Sequence, residues 1–587
     1  MNTPPSPQAT SAEARHDSDW PLRSWGLALL GGLVGLAIYW ITRPDGGGRD
    51  LDHMQARMAL ATFLGVGALV FAFLVERTRI RWSIAAAAVG AVVVALTIYW
   101  NGPFGGRLGE EPWRIVCAVL ALVIAAPLFQ AWRDERYRSP RSRFAVPYPD
   151  AHGHAWTNVV LWCSAWVFVG VTWAMALLLG QLFRLIGIEV LSKALEKEWM
   201  ILLLTGAALG AGIGLLRDRD GILRLLQRVV TTILAVLAPV LALGLVIFLA
   251  AIPFTGLAPL WDATRSTSPI LLGCVIGALS LANAVIGDVA SHEARNPVLR
   301  ASVAALCLAM LPLGVIAAIS TGMRIQQHGL TPDRLWAVVF TAIACAYGLA
   351  YLVVLARRRI HAAPELRVAN LRLAFALCLL ALVLSTPLVS FGALSARDQV
   401  ARLESGRTAP DAFDWRALRF DFGSAGEAAT RRLTDSGRTP QIRAEARKAL
   451  DAKNRWAIDS PAFERKRPPF DPKRLTVIPQ GTPLPQGLYD KLMEYDACSF
   501  DGACTVLHRG GSSEAVIVTA SQADPLDTEG RIMGQRCAGP AGDGRGCARA
   551  HRSRPAGREG GTARGHPPTG LCRRAAGGRK LRVIPMA

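Results

Sequence analysis

The stretch VVTTILAVLAPVLALGLVIFLAAI, residues 229–252, runs for 24 residues without an ionisable side chain. An α-helix of this length is about 36 Å long, enough to cross the ~30 Å hydrocarbon core of a bilayer with some tilt. That core holds no water, so the backbone groups of a spanning segment must bond to one another, as they do in an α-helix. We therefore interpret this stretch as a transmembrane helix and the chain as a membrane protein.

The composition agrees with a polytopic membrane protein that also has a water-exposed part. Of the 587 residues, 51% are hydrophobic and 19% are charged, and the mean hydropathy is +0.29. The formal net charge of +21 would suit a nucleic-acid-binding protein, but no aromatic interleaving or nucleic-acid motif accompanies the basic residues. We predict a lipid bilayer as the partner, and no nucleic acid.

Ten further apolar segments have the length and composition of membrane spans. Many of the 16 Trp residues lie at or near their ends, where the headgroup region favours an amphipathic ring. The sequence therefore predicts a bundle of about eleven transmembrane helices within residues 24–394. The predicted spans are 24–41, 59–75, 82–100, 115–129, 155–179, 200–216, 229–252, 270–286, 298–319, 335–356 and 373–394.

Arginine and lysine residues are unevenly distributed between alternate loops. The loops that lie inside if the N-terminus is cytoplasmic carry more of them than the other loops, as the positive-inside rule requires. We therefore predict that residues 1–23 form a disordered cytoplasmic N-terminus. Eleven crossings then place the chain after residue 394 outside the cytoplasm, and we expect a bacterial inner membrane with a periplasmic C-terminal part.

Residues 395–533 have the composition of ordinary soluble protein. Helical patterns are followed by an extended segment at 475–479 and a predicted hairpin of 504–508 with 515–519. These features predict a small periplasmic α/β domain. Cys498 and Cys504 lie within it, and an oxidising periplasm makes them a candidate disulfide. The sequence contains no C-x-x-C pair that would suggest a metal site.

Residues 534–587 differ from the rest of the chain. They are rich in Gly, Arg, Ala and Pro, show no apolar periodicity, and hold 12 Lys and Arg against Asp543 and Glu559. They thereby supply +10 of the net charge of +21. We interpret them as a disordered basic tail or as the product of a frameshift, since a GC-rich gene translated out of frame has this composition.

Two features of the predicted spans concern packing and polarity. Gly206, Gly210 and Gly214 recur at four-residue spacing and predict a helix-packing face. Polar residues in or beside spans are candidates for function because burying them is costly. Asn283 is interpreted as an interhelical hydrogen-bond partner or as a substrate ligand, and Asp288 lies just past the same span.

A turn between two spans holds the other polar candidates. They form either a small site or a helix cap with a surface ion pair. These residues are Arg324, Thr331, Asp333 and Arg334.

Common catalytic motifs are missing from the sequence. It contains no phosphate-binding G-x-x-x-x-G-K-[ST] loop, no H-E-x-x-H zinc helix and no C-x-x-C-H haem site. We therefore predict no catalytic residue, no cofactor and no metal, and expect a protein that is not an enzyme.

Four segments resemble the bacterial membrane proteins of domain-of-unknown-function family 4153. The resemblance implies a multi-span membrane protein with an extracytoplasmic C-terminal domain and no established activity, and it supplies no catalytic residues. The segments are IPFTGLAPLWDATRSTSPILL (252–272), LANAVIGD (281–288), RIQQHGLTPDRLWA (324–337) and DWRALRFDFG (414–423).

Two functional hypotheses follow. The first is a non-enzymatic membrane protein whose bundle anchors a periplasmic domain for envelope maintenance or sensing, with envelope proteins or lipids as partners. The alternative is a secondary transporter or translocator of a small solute or lipid-linked precursor. The glycine face and the prolines within spans, Pro239 and Pro312, suggest this alternative. A cavity lined by Asn283 and Arg324 would favour it. The oligomeric state is not predicted.

Overall fold

A computed structural model gives the architecture of the chain. It divides into two compact units, Met1–Ile458 and Asp459–Ala587. Cys498, the side chain of Cys504 and the predicted tail 534–587 lie outside the described residues, so the predicted disulfide stays a prediction. The structure describes residues 20, 22–43, 51–101, 111–139, 144–256, 267–289, 296–358, 362–452, 455, 458, 475–480, 504–508, 514–518 and 523–527.

Eleven helices in the described part of the first unit are long and apolar enough to cross a membrane. Their number agrees with the eleven predicted spans, and the chain is a multi-pass helical membrane protein. In chain order, with one short helix, α6, between two of them, they are α1 (Leu22–Thr42), α2 (Leu51–Leu74), α3 (Ile80–Trp100), α4 (Pro112–Arg138), α5 (Tyr148–Leu185), α6 (Val190–Leu195), α7 (Glu198–Arg217), α8 (Asp220–Thr255), α9 (Thr267–Ile286), α10 (Pro297–His328), α11 (Pro332–Arg358) and α12 (Ala363–Ser385).

Several helices extend beyond the predicted spans. The segment predicted to be the shortest, 115–129, belongs to α4, which has 27 residues. Its additional turns carry charged side chains that bond to neighbouring helix ends, and a hydropathy pattern alone excludes such turns from a span. The residue pattern of 181–199 predicts an interfacial helix on the outer surface. In the structure, α5 continues to Leu185 and only the six residues of α6 follow before α7.

The two ends of the bundle are distinguished by the start of α1. The end that contains it, called here the basal end, also holds the last residues of α7, because Arg23 bonds Asp218 at 2.7 Å. The opposite end, where α10 ends and α11 begins, is called the apical end. On the predicted orientation the basal end is cytoplasmic.

Two hydrophobic clusters form most of the bundle interior. The larger joins α8, α9, α10, α11 and α12 around fully buried side chains such as Leu306, Met310 and Leu313. The second joins α1, α2, α5 and α7 around Leu161 and Ile213. Much of the remaining apolar surface of the spans is exposed, as expected for helices that face lipid.

Four further helices pack on one another after α12 and form a group called here the apical cap. They share a core that includes Phe413, Leu418 and Leu433, all almost fully buried. The cap belongs to the first unit together with the spans. Its helices are α13 (Phe391–Glu404), α14 (Trp415–Phe420), α15 (Gly423–Ser436) and α16 (Pro440–Asp451).

The described part of the second unit forms a four-stranded sheet. The strands, β1 (Leu475–Ile478), β2 (Cys504–His508), β3 (Glu514–Val518) and β4 (Ala523–Asp527), lie in the order β1-β2-β3-β4. β1 is parallel to β2, and the remaining pairs are antiparallel. The predicted hairpin is present, with His508 opposite Ala515. Val506 and His508 are both buried, as the two-residue period of a strand places them on one face.

Candidate functional site

Polar side chains from four spans meet near the basal end of the bundle. They come from α5, α9, α11 and α12, and each lies within about two turns of the basal end of its helix. We call this group the basal polar network. It consists of Tyr148, His152, Asn283, Tyr351 and Asn370.

Three of these side chains form a closed ring of hydrogen bonds. Asn283 Nδ2 donates to Tyr351 Oη at 3.1 Å, Tyr351 Oη donates to Asn370 Oδ1, and Asn370 Nδ2 donates to Asn283 Oδ1. Asn283 Nδ2 also donates to the carbonyl of Leu279 at 2.9 Å. The ring pairs the buried Tyr351 hydroxyl with two partly buried amides and joins α9, α11 and α12.

A branch of the network extends from the ring to α5. Asn370 Nδ2 donates to Tyr148 Oη at 3.5 Å, and the Tyr148 hydroxyl shares a hydrogen bond with His152 Nδ1, 3.1 Å away. Asp288 follows α9 at this end and interacts electrostatically with both Tyr148 and His152. The sequence identified Asn283 and Asp288 but missed their partners on other helices, because no local pattern marks a polar residue whose neighbours are distant in sequence.

Three arginines, two of them buried, bond the carbonyl ends of two spans at the basal end. Arg367 donates to the carbonyls of Ile286 (3.0 Å) and Gly287 (3.2 Å), at the end of α9. At the end of α2, Arg133 donates to the carbonyl of Leu74 (2.9 Å), and Arg217 donates to that of Phe73 (2.7 Å). The last carbonyls of a helix lack partners within it and carry partial negative charge, so a guanidinium satisfies both needs.

The Arg133 guanidinium is also the centre of a compensated charge cluster. The arginine is only 1% exposed and forms ion pairs with Glu76 and with Asp134 (3.3 Å). Asp134 also accepts from Arg79 (2.7 Å) and contacts His154 Nε2 (3.0 Å). Burial raises the pKa of the Glu76 carboxyl, and the charge of Arg133 opposes this rise. The cluster balances a buried charge, which would be costly if left unpaired.

The polar side chains of the predicted apical site form hydrogen bonds within their own turn. Thr331 Oγ1 accepts from the N–H of Arg334 at 3.4 Å and so caps α11. The Arg334 guanidinium donates to the carbonyls of His328 (3.1 Å) and Gly329 (2.7 Å). Arg324 lies at the end of α10 and Asp333 in the first turn of α11.

The apical cap binds this turn through α13. Asp398 accepts from the N–H of Leu330 at 2.7 Å, and Gln399 donates to the carbonyl of the same residue at 3.0 Å. Arg402 donates to the carbonyl of Ile325 at 3.1 Å, at the end of α10. We call these contacts between α13 and residues 325–330 the apical junction.

A partly buried carboxylate next to a different span holds the start of α13. Glu111, just before α4, accepts from the Ser390 hydroxyl (2.8 Å) and from the N–H of Gly392 (3.2 Å). Arg114 pairs with Glu111 (3.0 Å) and donates to the carbonyl of Val389 (3.3 Å). The cap is therefore fixed to the beginning of α4 as well as to the α10–α11 turn.

The remaining predicted residues can now be placed. Gly206, Gly210 and Gly214 lie on α7 against the backbone of α1, where a Cβ atom on any of them would overlap that backbone. Pro239 and Pro312 lie within the continuous helices α8 and α10. No group of three or more metal-binding side chains occurs among the residues that the structure describes.

Asn283 and Arg324 lie at opposite ends of the bundle. Asn283 is three residues from the basal end of α9, whereas Arg324 is four residues from the apical end of α10. The two side chains therefore do not line one cavity, which was the arrangement that would have favoured transport.

The comparisons with known proteins give one match. A model of the family described as "Domain of unknown function (DUF4153)" matches residues 58–422, from within α2 to the residue before α15. Neither the search of curated proteins nor the search of solved structures finds a match. The matched range contains the basal polar network and the apical junction.

Proposed function

This chain belongs to the DUF4153 family, and we propose that it is a non-catalytic integral membrane protein whose helical bundle anchors its C-terminal part at the membrane surface. In this proposal the protein lies in a bacterial inner membrane, with its N-terminus in the cytoplasm and its C-terminal part in the periplasm. There it serves envelope maintenance or sensing, through envelope proteins or lipids.

The observation that carries the proposal is the attachment of the apical cap. Two separate sets of hydrogen bonds hold α13: Asp398, Gln399 and Arg402 bind the α10–α11 turn, and Glu111 binds the start of the helix. Only the five residues 386–390 separate α12 from α13. A water-exposed module held at several points has a fixed position, which a flexible linker would not give.

The polar groups within the bundle support anchoring rather than transport. The basal polar network makes its hydrogen bonds internally, and Arg133 and Arg367 bond helix ends. A transport site needs polar groups that are available to a substrate near mid-depth, where helices are typically interrupted. The structure instead carries Pro239 and Pro312 within continuous helices.

Genetic complementation tests the proposal. A deletion strain is complemented with the full chain, with a chain truncated after Ile458, or with a full chain carrying Tyr351→Phe, and growth is measured under detergent and EDTA stress. We expect the deletion strain to be sensitive, the full chain and Tyr351→Phe to restore resistance, and the truncated chain to fail although it reaches the membrane in normal amount.

Two outcomes would contradict the proposal. A deletion strain as resistant as the wild type would remove the envelope role. A truncated chain that complements fully, combined with a Tyr351→Phe chain that is present but inactive, would assign the activity to the bundle and favour transport.

The predicted orientation needs its own test. In a chain whose native cysteines are replaced, Arg431→Cys on α15 and Arg219→Cys at the basal end introduce one exposed thiol each. A membrane-impermeant maleimide should label the first in intact cells and the second only after lysis. The reverse pattern would place the apical cap in the cytoplasm.

A further inference from the structure

Two tryptophans and an arginine form a cluster at the basal end, where α3 begins and α4 ends. The rings of Trp82 and Trp132 meet edge to face with centroids 5.3 Å apart. The guanidinium of Arg136, one helical turn beyond Trp132, lies 5.7 Å from the Trp82 ring centre and 5.5 Å from that of Trp132. Such distances are within the range of cation–π attraction.

Arg136 differs from the neighbouring arginines in the groups that its guanidinium contacts. Arg79 and Arg133, on the adjoining turns, form ion pairs with Glu76 and Asp134. Arg136 is exposed, and within the described part of the chain its contacts are with the two rings and not with a carboxylate. The N–H groups of the Arg136 guanidinium are therefore able to donate to an anion.

A second exposed cation lies in the same turn of α3 as Trp82. Arg81 directly precedes Trp82, and no carboxylate pairs with it among the residues that the structure describes. Val89, two turns further along α3 on the same face as Trp82, is 66% exposed. The cluster thus combines two cations with indole rings and with apolar surface of a kind that faces lipid.

This combination corresponds to the chemistry of the bilayer boundary. Indole rings prefer the headgroup level, and a guanidinium matches the geometry of phosphate oxygens. A soluble phosphate ester would use the two cations alone, whereas a lipid would also use the apolar surface beside them. Basic sites between helices at this depth are suited to anionic headgroups.

We propose that Arg81, Trp82, Trp132 and Arg136 form a binding site for the headgroup phosphate of an anionic phospholipid. Arg136 and Arg81 bind the phosphate, the rings hold the Arg136 guanidinium in place, and the lipid tails lie along the exposed face of α3. The site is independent of the proposed anchoring function and of the orientation of the protein in the membrane.

Native mass spectrometry of the purified full chain tests the site. Phosphatidylglycerol is titrated against phosphatidylcholine, and we expect the anionic lipid to bind more tightly. Each guanidinium at a membrane surface contributes enough that Arg136→Gln should weaken phosphatidylglycerol binding about fivefold, and the double variant with Arg81→Gln more strongly. Phosphatidylcholine carries the same phosphate but no net charge, so its weaker binding should fall less.

Arg219→Gln is the matched control, because Arg219 is an exposed arginine of the same basal end without a ring contact in the described structure. Its phosphatidylglycerol affinity should equal that of the wild type. An equal loss in Arg219→Gln and Arg136→Gln would show general surface attraction and overturn the site. Inorganic phosphate or glycerol phosphate that displaces the lipid at equal concentration would overturn the assignment to a lipid. Unchanged thermal unfolding of the variants in phosphatidylcholine would show that they are folded.

Discussion

Tyr351 is fully buried among spans, yet its hydroxyl group both donates and accepts a hydrogen bond. Asn283 and Asn370 complete the ring, so each buried polar group is satisfied by a helix other than its own. Such bonds contribute modestly in a membrane, because the unfolded state in lipid also finds partners. Their main effect is to fix which faces of α9, α11 and α12 meet.

Tyr351→Phe should destabilise the bundle. The substitution keeps the aromatic side chain but removes the hydroxyl that donates to the partly buried Asn370 Oδ1, and we expect a loss of about 1 kcal/mol in the free energy of unfolding. Tyr99→Phe is the control, because Tyr99 is 48% exposed. Unfolding in mixed micelles, followed by tryptophan fluorescence, measures both. Equal stability of the two variants would show that the ring contributes nothing.

Single residues differ in how far the sequence reveals their role. Asn283 stands out because it is polar within an apolar segment, and the glycines stand out because of their spacing. Arg133 and Arg367 look like ordinary loop arginines, and only the fold shows that they bond helix ends. The sequence predicts where such charges lie relative to the membrane, but their partners depend on contacts between segments that are distant in the chain.

At the scale of helices, the closest approach in the bundle is between α1 and α7. Gly206→Ala should force the two helices apart, because the added Cβ would overlap the carbonyl of Gly31. We expect a destabilisation of about 1–3 kcal/mol. Gly244→Ala on α8 has no atom within 4 Å of the new Cβ and should be neutral or slightly stabilising. A Gly206→Ala chain as stable as Gly244→Ala would contradict the packing face.

Gly329 lies in the α10–α11 turn, within the apical junction. Its φ of +77° favours glycine, and a Cβ there would lie 2.6–2.7 Å from the side chains of Asp398, Gln399 and Arg402. Gly329→Ala should therefore lose the junction and also place an alanine in a backbone region (φ +77°, ψ −175°) that is essentially restricted to glycine, at a cost of about 1–3 kcal/mol. Gly256 also has a positive φ, +70°, but no atom lies within 4 Å of an added Cβ. Gly256→Ala should therefore have only the backbone cost.

Limited proteolysis of the two variants measures the difference. We expect the apical cap of Gly329→Ala to be cleaved several times faster than that of Gly256→Ala, because a detached cap exposes its backbone. Identical cleavage patterns would show that the junction does not hold the cap.

At the scale of the whole molecule, the boundary between the two compact units lies later in the chain than residue 395, where the predicted water-exposed domain begins. The compact unit that contains the spans ends at Ile458, and the second unit begins at Asp459. Among the described residues of the predicted domain 395–533, the helices lie in the first unit and the strands in the second. Composition changes near residue 395, after the last long apolar helix α12, and a hydropathy pattern detects this change of composition but not the boundary of a packed unit.

Truncation distinguishes the two boundaries. A chain that ends after Ile458 should keep the unfolding midpoint of the full bundle and cap. A chain that ends after Ser436 lacks α16 and the buried side chain of Ile442, so its cap should lose at least about 2 kcal/mol. Circular dichroism melts of both truncated chains in the same detergent test this. A chain ending at Ile458 that melts as early as the shorter one would contradict the division.

The length of α5 has a consequence for the bilayer itself. At 38 residues the helix is about 57 Å long, and its apolar part, 155–179, is about 37 Å, longer than a ~30 Å hydrocarbon core. α8 packs against α5, and its apolar stretch 229–252 is about 36 Å long. Two adjoining helices with the same hydrophobic mismatch must tilt by about 35° or thicken the bilayer around them. The mismatch of these two helices therefore depends on acyl-chain length, and a thicker membrane accommodates the pair with less deformation.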